Sequence, residues 1–194
     1  MSSIGDPAAP KPRLLLHVCC GPCSTACIER LQTEYDVLLY WYNPNITDPD
    51  EYRKRLVEAR RYTGIVGVTL IEGPHDAPAW EAAAQGLMDE PEGGRRCDAC
   101  FRLRMRAAAQ VAREQGIELL TTTLTISPHK PLAKVQAAAG EALEGSPVTY
   151  LPIDFKKQGG FERSRQLSRE HSLYRQDFCG CEPSRRERDR RRRR

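Results

Sequence analysis

Short apolar runs and longer amphipathic ones take turns along this chain. "RLLLHVCC" (13–20) is almost wholly apolar and reads as a buried strand. The next stretch carries Ile28, Leu31 and Tyr35 at helical spacing, with Ser24 or Thr25 as its expected cap. "DVLLYWYNPNI" (36–46) is a second strand, ended by an Asn-Pro-Asn turn. "DPDEYRKRLVEARRYTG" (48–64) has the clearest helix start: Asp48 as cap, Pro49 at the first helical position, Glu51 three residues after the cap, and Gly64 as the expected end. "VGVTLIEG" (66–73) reads as a third strand and "PAWEAAAQGL" (78–87) as a helix. A loop, "MDEPEGGRR", leads to "CDACFRLRMRAAAQVAREQG" (97–116), a long helix closed by Gly116. "IELLTTTLTI" (117–126) is a fourth strand, "PLAKVQAAAGEAL" (131–143) a helix and "VTYLPIDF" (148–155) a fifth strand. The polar and aromatic segment 156–184 receives no element.

Strands alternating with helices predict an α/β fold: one parallel sheet with helices on both faces. The domain spans 14–184, between a leader (1–13) and a tail (185–194) that are both expected to be disordered. In such sheets ligands bind beyond the carboxyl ends of the strands. Residues 19–23 follow the first strand, "NPN" the second and "SPHK" the fourth, so these loops share the expected functional edge.

With 194 residues, 40% apolar and 29% charged, the chain suits one domain with a proper core. No apolar run approaches the ~20 residues of a membrane helix, and the start of the chain offers no signal-peptide segment. A cytoplasmic protein is expected. The net charge of +4 is unevenly placed: the last ten residues hold eight Arg against one Glu and one Asp, leaving the rest at −2. A basic block of this kind is either a solvated tail or an attractor of phosphate backbones.

Eight cysteines bring in chemistry. In a cytoplasmic chain they argue for metal, cluster or redox work over structural disulfides. Cys20–Cys23 is a Cys-x-x-Cys at a strand-to-helix junction, as in thioredoxins, where the helix N-terminus lowers a thiol's pKa. That reading leaves six cysteines unused. Cys19 and Cys20 with Cys97 and Cys100 offer four soft donors from two places, suited to iron–sulfur or to zinc. Spacing does not separate the two metals, although adjacent cysteines at a strand end fit a structural zinc site less well. Cys179 and Cys181 flank one glycine. A disulfide there closes a small strained ring, the labile kind, while two further metal ligands is the other reading. Cys27 is expected to be a buried apolar residue.

His17 is expected to be a satisfied core side chain, His75 and His171 loop or surface residues, and His129 a substrate contact on the strand-end edge. Arg102, Arg104, Arg106 and Arg113 load the helix after the second cysteine pair as a solvated face or a phosphate site. Asp154 reads equally as an acid, a ligand or a turn residue.

"LLLHVCCGPCS", "YNPNI", "EYRKRL", "RRCDACFRLRM", "TTTLTISPHK", "DFKKQGG" and "LYRQDFCGCEPS", in this order from about Leu14 to Ser184, resemble the QueH-type epoxyqueuosine reductases. The resemblance implies a fold similar to the α/β domain of PP-loop enzymes, with the cysteine loop in place of a phosphate loop. It implies removal of the epoxide oxygen of epoxyqueuosine at the wobble position of tRNA, the last step of queuosine biosynthesis. By position, Cys19, Cys20, Cys97 and Cys100 would hold a [4Fe–4S] cluster, and Cys179 and Cys181 would be the redox-active disulfide pair. Cys23 stands where relatives carry Cys or Asp, either suited to an auxiliary metal, an additional iron. Phe101 stands where Tyr is common. The implied partners are the tRNA and an unidentified electron donor. Tyr42, Asn45, Ser127, His129 and Lys130 are the expected substrate contacts, with Tyr42, Phe101 and Tyr174 as candidates to stack on a splayed-out base.

Two rival classes stand beside this one. A zinc-held tRNA-binding module without catalysis has no use for the "CGC" pair. A PP-loop ATPase needs a Gly/Ser-rich phosphate loop, and Pro22 removes an amide donor from "CCGPCS".

Overall fold

The computed structural model describes residues 9–193. Strand β1 (Arg13–Val18) lies at the centre of a five-stranded parallel sheet. On one side it pairs with β2 (Asp36–Trp41), which pairs with β3 (Leu70–Glu72); on the other it pairs with β4 (Leu119–Thr122), which pairs with β5 (Thr149–Tyr150). Leu14, Leu16 and Val18 point to one face, against α1 (Gly21–Leu31), α2 (Pro49–Val66) and α6 (Gly160–Glu170). Leu15 points to the other, against α4 (Arg95–Glu114), beside which α5 (Leu132–Leu143) packs. All four residues are fully buried, each contributing about 1.5–3 kcal/mol of transfer free energy. A strand covered on both faces needs the unbroken apolar run that the sequence shows.

Several boundaries differ from expectation for local reasons. The cap of α1 is Cys20, whose Sγ accepts from the Cys23 N–H, while Ser24 and Thr25 turn their hydroxyls back onto the Gly21 and Pro22 carbonyls. Asp48 caps α2 as expected, accepting from the Asp50 and Glu51 amides, but the helix passes through Gly64 and ends at Gly67, which is left-handed. The fourth strand stops at Thr122, whose Oγ1 takes the Leu124 N–H and turns Thr123–Ile126 into a 3-10 helix. The fifth shrinks to two residues, since Pro152 has no N–H for a ladder. A short helix α3 (Ala77–Ala83) precedes α4, and the unassigned segment contains α6.

The expected disordered tail is instead a helix, α7 (Glu182–Arg192). Glu187 and Asp189 interrupt the run of arginines, and ion pairs dock the helix: Arg185 to Asp48 at 2.8 Å, Arg188 to Asp177 at 2.9 Å, and Arg192 to the same Asp177. Of the expected leader, residues 1–8 lie outside the described residues, and 9–12 run straight into β1. No helix among the described residues is long and apolar enough to cross a membrane.

Asp177 takes two arginines of α7. Partial burial raises its carboxyl pKa, but Arg188 and Arg192 pull it further down, below the ordinary 3.8. Its contribution to docking is therefore present above pH 3.8 and lost as pH falls through the lower folded value. Asp177→Asn should remove amide-exchange protection from 185–192 at neutral pH while leaving β1 protected, measured by hydrogen-exchange mass spectrometry. Unchanged protection of α7 would contradict this.

Candidate active site

The strand order reverses at β1, with β2 continuing to one side and β4 starting the other. The crevice beyond the carboxyl ends of β1 and β4 is thus the switch point of the sheet. The loop and helix start at Cys19–Cys23 and the turn at Thr123–Lys130 form its walls. Thr123 ties them together: its Oγ1 accepts from the Cys19 N–H at 3.1 Å and donates to Cys19 Sγ at 3.4 Å. Gly21 lets α1 start there, since a Cβ would meet the Glu58 carbonyl carbon and oxygen of α2 at 3.0 Å.

A cavity of about 260 Å³ opens at this point, with a gap of about 20 Å³ behind it. Cys19 and Cys23 line the larger space, Cys97, Cys100 and Cys181 the smaller, and Cys179 both. Three cysteine groups remote in sequence therefore converge. The sulfurs of Cys19, Cys20 and Cys23 lie within 4.8 Å of one another. Cys20 and Cys23 are joined as a disulfide, whereas Cys179 and Cys181 are both free thiols. The donor set fits a thiophilic metal centre. Cys19, Cys20 and Cys100 are buried and Cys97 half-buried, and Cys97 packs in one apolar cluster with Cys19, Cys20 and Phe101. Metal binding by Cys20 requires its bond to Cys23 to be reduced, because the thiolate is the ligand.

Burial makes Cys97, Cys100 and Cys181 hold their protons when no metal is bound. Cys100 is pushed up to about 11 by burial, against the pull of Arg104, and Cys181 to about 12 by burial and the neighbouring Cys179. Lys130 faces them. Burial lowers its pKa, but Cys179 and Cys19 more than offset this, and the ammonium sits above its ordinary value. Cys27 is fully buried, its Sγ donating to the Cys23 carbonyl, as expected of a small core residue.

The "FCGC" loop is held by α2. Arg55, its side chain 2% exposed, donates to the Cys179 carbonyl at 3.0 Å and the Phe178 carbonyl at 3.2 Å. Its Nε pairs with Glu51 at 2.6 Å. Asn45 adds a bond to the Cys179 carbonyl at 3.4 Å, and the Ser184 hydroxyl accepts from the Cys179 N–H at 2.9 Å. Gly180 fits this clamp because its φ of 121° is left to glycine and a Cβ would strike Ile46 at 2.8 Å. The guanidiniums of Arg55 and Arg188 sit 4.9 and 4.6 Å from the Phe178 ring centroid.

Of the expected substrate contacts, Asn45, Ser127, His129 and Lys130 line the cavity. Tyr42 does not: its ring is buried and stacked on Tyr40, 6.1 Å between centroids. Tyr174 is spent on Glu51, its hydroxyl 3.0 Å from Oε2, and Phe101 lies buried against the smaller gap. The aromatic walls of the larger cavity are Phe161 and Phe178, which the sequence reading passed over, as it did Arg55, Arg175 and Gln176. Phe178 adjoins the "CGC" motif, a signal that was available. Asp154 pairs with Lys156 at 2.6 Å and does not line the cavity, which favours its turn reading.

His17 is a satisfied core residue. Arg104 Nε donates to its Nε2 at 3.3 Å, so the proton is on Nδ1, 2.7 Å from Thr122 Oγ1. The Tyr42 carbonyl lies 3.2 Å from the same Nε2, which has no hydrogen to give it. Burial first, and then the charge of Arg104, hold the ring pKa well below its ordinary value. Of the α4 arginines, Arg104 is buried, Arg102 faces Glu141 at 3.6 Å, and Arg106 and Arg113 are exposed away from the cavity.

A family model described as "Epoxyqueuosine reductase QueH" matches residues 14–187. The chain is 35% identical over 187 residues to an epoxyqueuosine reductase QueH of Streptococcus pyogenes, covering 93% of this chain and 73% of that one. It is 37% identical over 171 residues to one of Histophilus somni, covering 87% and 70%. In fold it is similar to a predicted subunit of a tRNA methyltransferase from Methanocaldococcus jannaschii, with a TM-score of 0.52 at 15% identity, over 81% of this chain and 76% of that one.

The clamp makes a measurable claim. Arg55→Met removes charged donors worth about 1.5–3 kcal/mol each when buried. It should free 177–181 for fast amide exchange and speed alkylation of Cys179 at least tenfold, with β1 unaffected. Alkylation at the wild-type rate would show that Arg55 does not hold the loop.

Proposed function

The chain belongs to the epoxyqueuosine reductase QueH family, and from that premise we propose that it removes the epoxide oxygen of epoxyqueuosine at the wobble position of tRNA. It is an oxidoreductase. The observation that carries the reading is the convergence of three cysteine groups on one cavity, because the reaction has several tasks for sulfur. Converting the epoxide to an alkene consumes two electrons and two protons and releases water.

In this reading Cys179 and Cys181 close to a disulfide and give up two electrons and two protons, which balances the reaction; an external reductant, the electron donor, then restores the thiols. Cys19, Cys20, Cys97 and Cys100 hold a [4Fe–4S] cluster, and Cys23 contributes to an additional iron. When bound, such a centre supplies electrons one at a time at low potential. Arg55, Asn45 and Ser184 keep the Cys179 peptide aimed at the cavity. Phe161, on the cavity wall, offers its ring to a base splayed out of an RNA loop, while Phe178 is engaged by the guanidiniums of Arg55 and Arg188.

The RNA backbone meets a basic rim. Arg165 and Arg169 lie one turn apart and exposed on α6, and Arg175, which lines the cavity, reaches back to Ser168 of the same helix at 3.2 Å. Burial and then the charges of Arg165 and Arg169 pull the Arg175 pKa down. Among the described residues none of these three guanidiniums has an acidic partner within salt-bridge distance; they repel one another, and phosphates relieve that repulsion.

Fully reduced protein without added reductant should convert about one equivalent of epoxyqueuosine RNA per chain, by the two-electron stoichiometry of one dithiol. Mass spectrometry should then find Cys179 joined to Cys181. Cys179→Ser and Cys181→Ser should abolish conversion yet leave the metal content unchanged. Conversion surviving in both variants would sink the dithiol role. Separately, Arg165→Glu with Arg169→Glu should weaken binding of the anticodon stem-loop and lower the slope of log affinity against log salt by about 1.4, at roughly 0.7 per lost contact. An unchanged slope would place the RNA elsewhere.

A further inference from the structure

Three arginines are almost fully buried around the sulfur groups, and two of them have carboxylate partners. Arg55 pairs with Glu51 at 2.6 Å, and Arg96 faces Glu187 at 3.7 Å. Arg104, 1% exposed, is different. Its Nε donates to neutral His17 at 3.3 Å and its Nη2 to the amide oxygen of Asn43. Asn43 is in turn fixed by donating to the Val18 carbonyl at 3.0 Å. Among the described residues, no carboxylate lies within salt-bridge distance of Arg104. A buried guanidinium held only by neutral acceptors is costly unless another anion faces it.

The groups able to provide that anion are thiols. Arg104 lies one helical turn beyond Cys100 on α4 and lines the same cavity as Cys19. His17 and Asn43 hold the guanidinium there from the strand side, so its place does not depend on the thiols. We infer that Arg104 is the buried counter-charge of the centre bound by Cys19, Cys20, Cys97 and Cys100, a positioning residue that favours its reduced, more negative state. The inference rests on the cluster reading above. Net charge near a thiolate-bound cluster is one of the levers that set its potential.

The test uses full-length protein loaded anaerobically with iron and sulfide, as wild type, Arg104→Lys and Arg104→Gln. Potentiometric titration is followed by absorbance and electron paramagnetic resonance. Arg104→Gln should show at least a tenfold lower ratio of reduced to oxidised centre at a fixed potential, about 59 mV for one electron. Arg104→Lys, which keeps the charge, should stay within twofold of wild type. A Gln variant that folds but loads no iron, beside a Lys variant that loads normally, also supports the role of charge. Equal potentials in all three proteins overturn the inference, as does a Lys shift as large as that of Gln, or loss of loading in both. Wild type that binds no iron or sulfide overturns the cluster reading itself, a result distinct from these.

Discussion

Hydrogen bonds on both edges of β1 and side chains packed on both its faces leave the strand one free end. Leu14 to Val18 are committed to the core, so polar chemistry can begin only where the strand stops, at Cys19. Because the strand order reverses at β1, the chain leaves it toward α1 and the turn after β4 rises beside it. The crevice between them is therefore a consequence of topology. Thr123 closes the seam from the β4 side by holding both the amide and the sulfur of Cys19. Everything else at the site is delivered to this crevice.

Two helices make the deliveries. The first two turns of α4 bring Cys97 and Cys100, and the following turn brings Arg104 to the same cavity. From the other side α2 offers Arg55, which grips the "FCGC" loop by two carbonyls while Glu51 steadies its guanidinium. The C-terminal helix then seals the loop from outside through Asp177 and Asp48. The arginines of this family member thus serve different purposes. Some dock a helix, one clamps a loop, one has no carboxylate within salt-bridge distance among the described residues, and Arg175 lines the cavity within reach of the charges of Arg165 and Arg169.

Much of this was legible along the chain. The unbroken apolar run of β1, the Asp48-Pro49 start of α2 and the alternation of strands and helices gave the parallel sheet, and the strand-end rule put Asn45 and Lys130 at the cavity. What could not be read was tertiary. Tyr42 follows a strand end, but its ring stacks on Tyr40, and Tyr174 is diverted to Glu51. The α7 helix looked like a repelling charge block because its partners Asp48 and Asp177 are distant or outside the run. Arg55 sat inside an ordinary amphipathic helix, and no pattern in α2 sets it apart from its exposed neighbour Arg53. Its importance comes from what the fold places against it.

The convergence of cysteines from three parts of the chain on one centre is tested most directly by locating the metal. Crystals grown without oxygen from iron- and sulfide-loaded protein should be measured on both sides of the iron absorption edge, and again at the zinc edge. The predicted result is an iron anomalous peak enclosed by Cys19, Cys20, Cys97 and Cys100, with Cys179 and Cys181 outside the ligand set. A zinc peak there, or iron held by Cys179 and Cys181, would contradict the assignment of the cysteines.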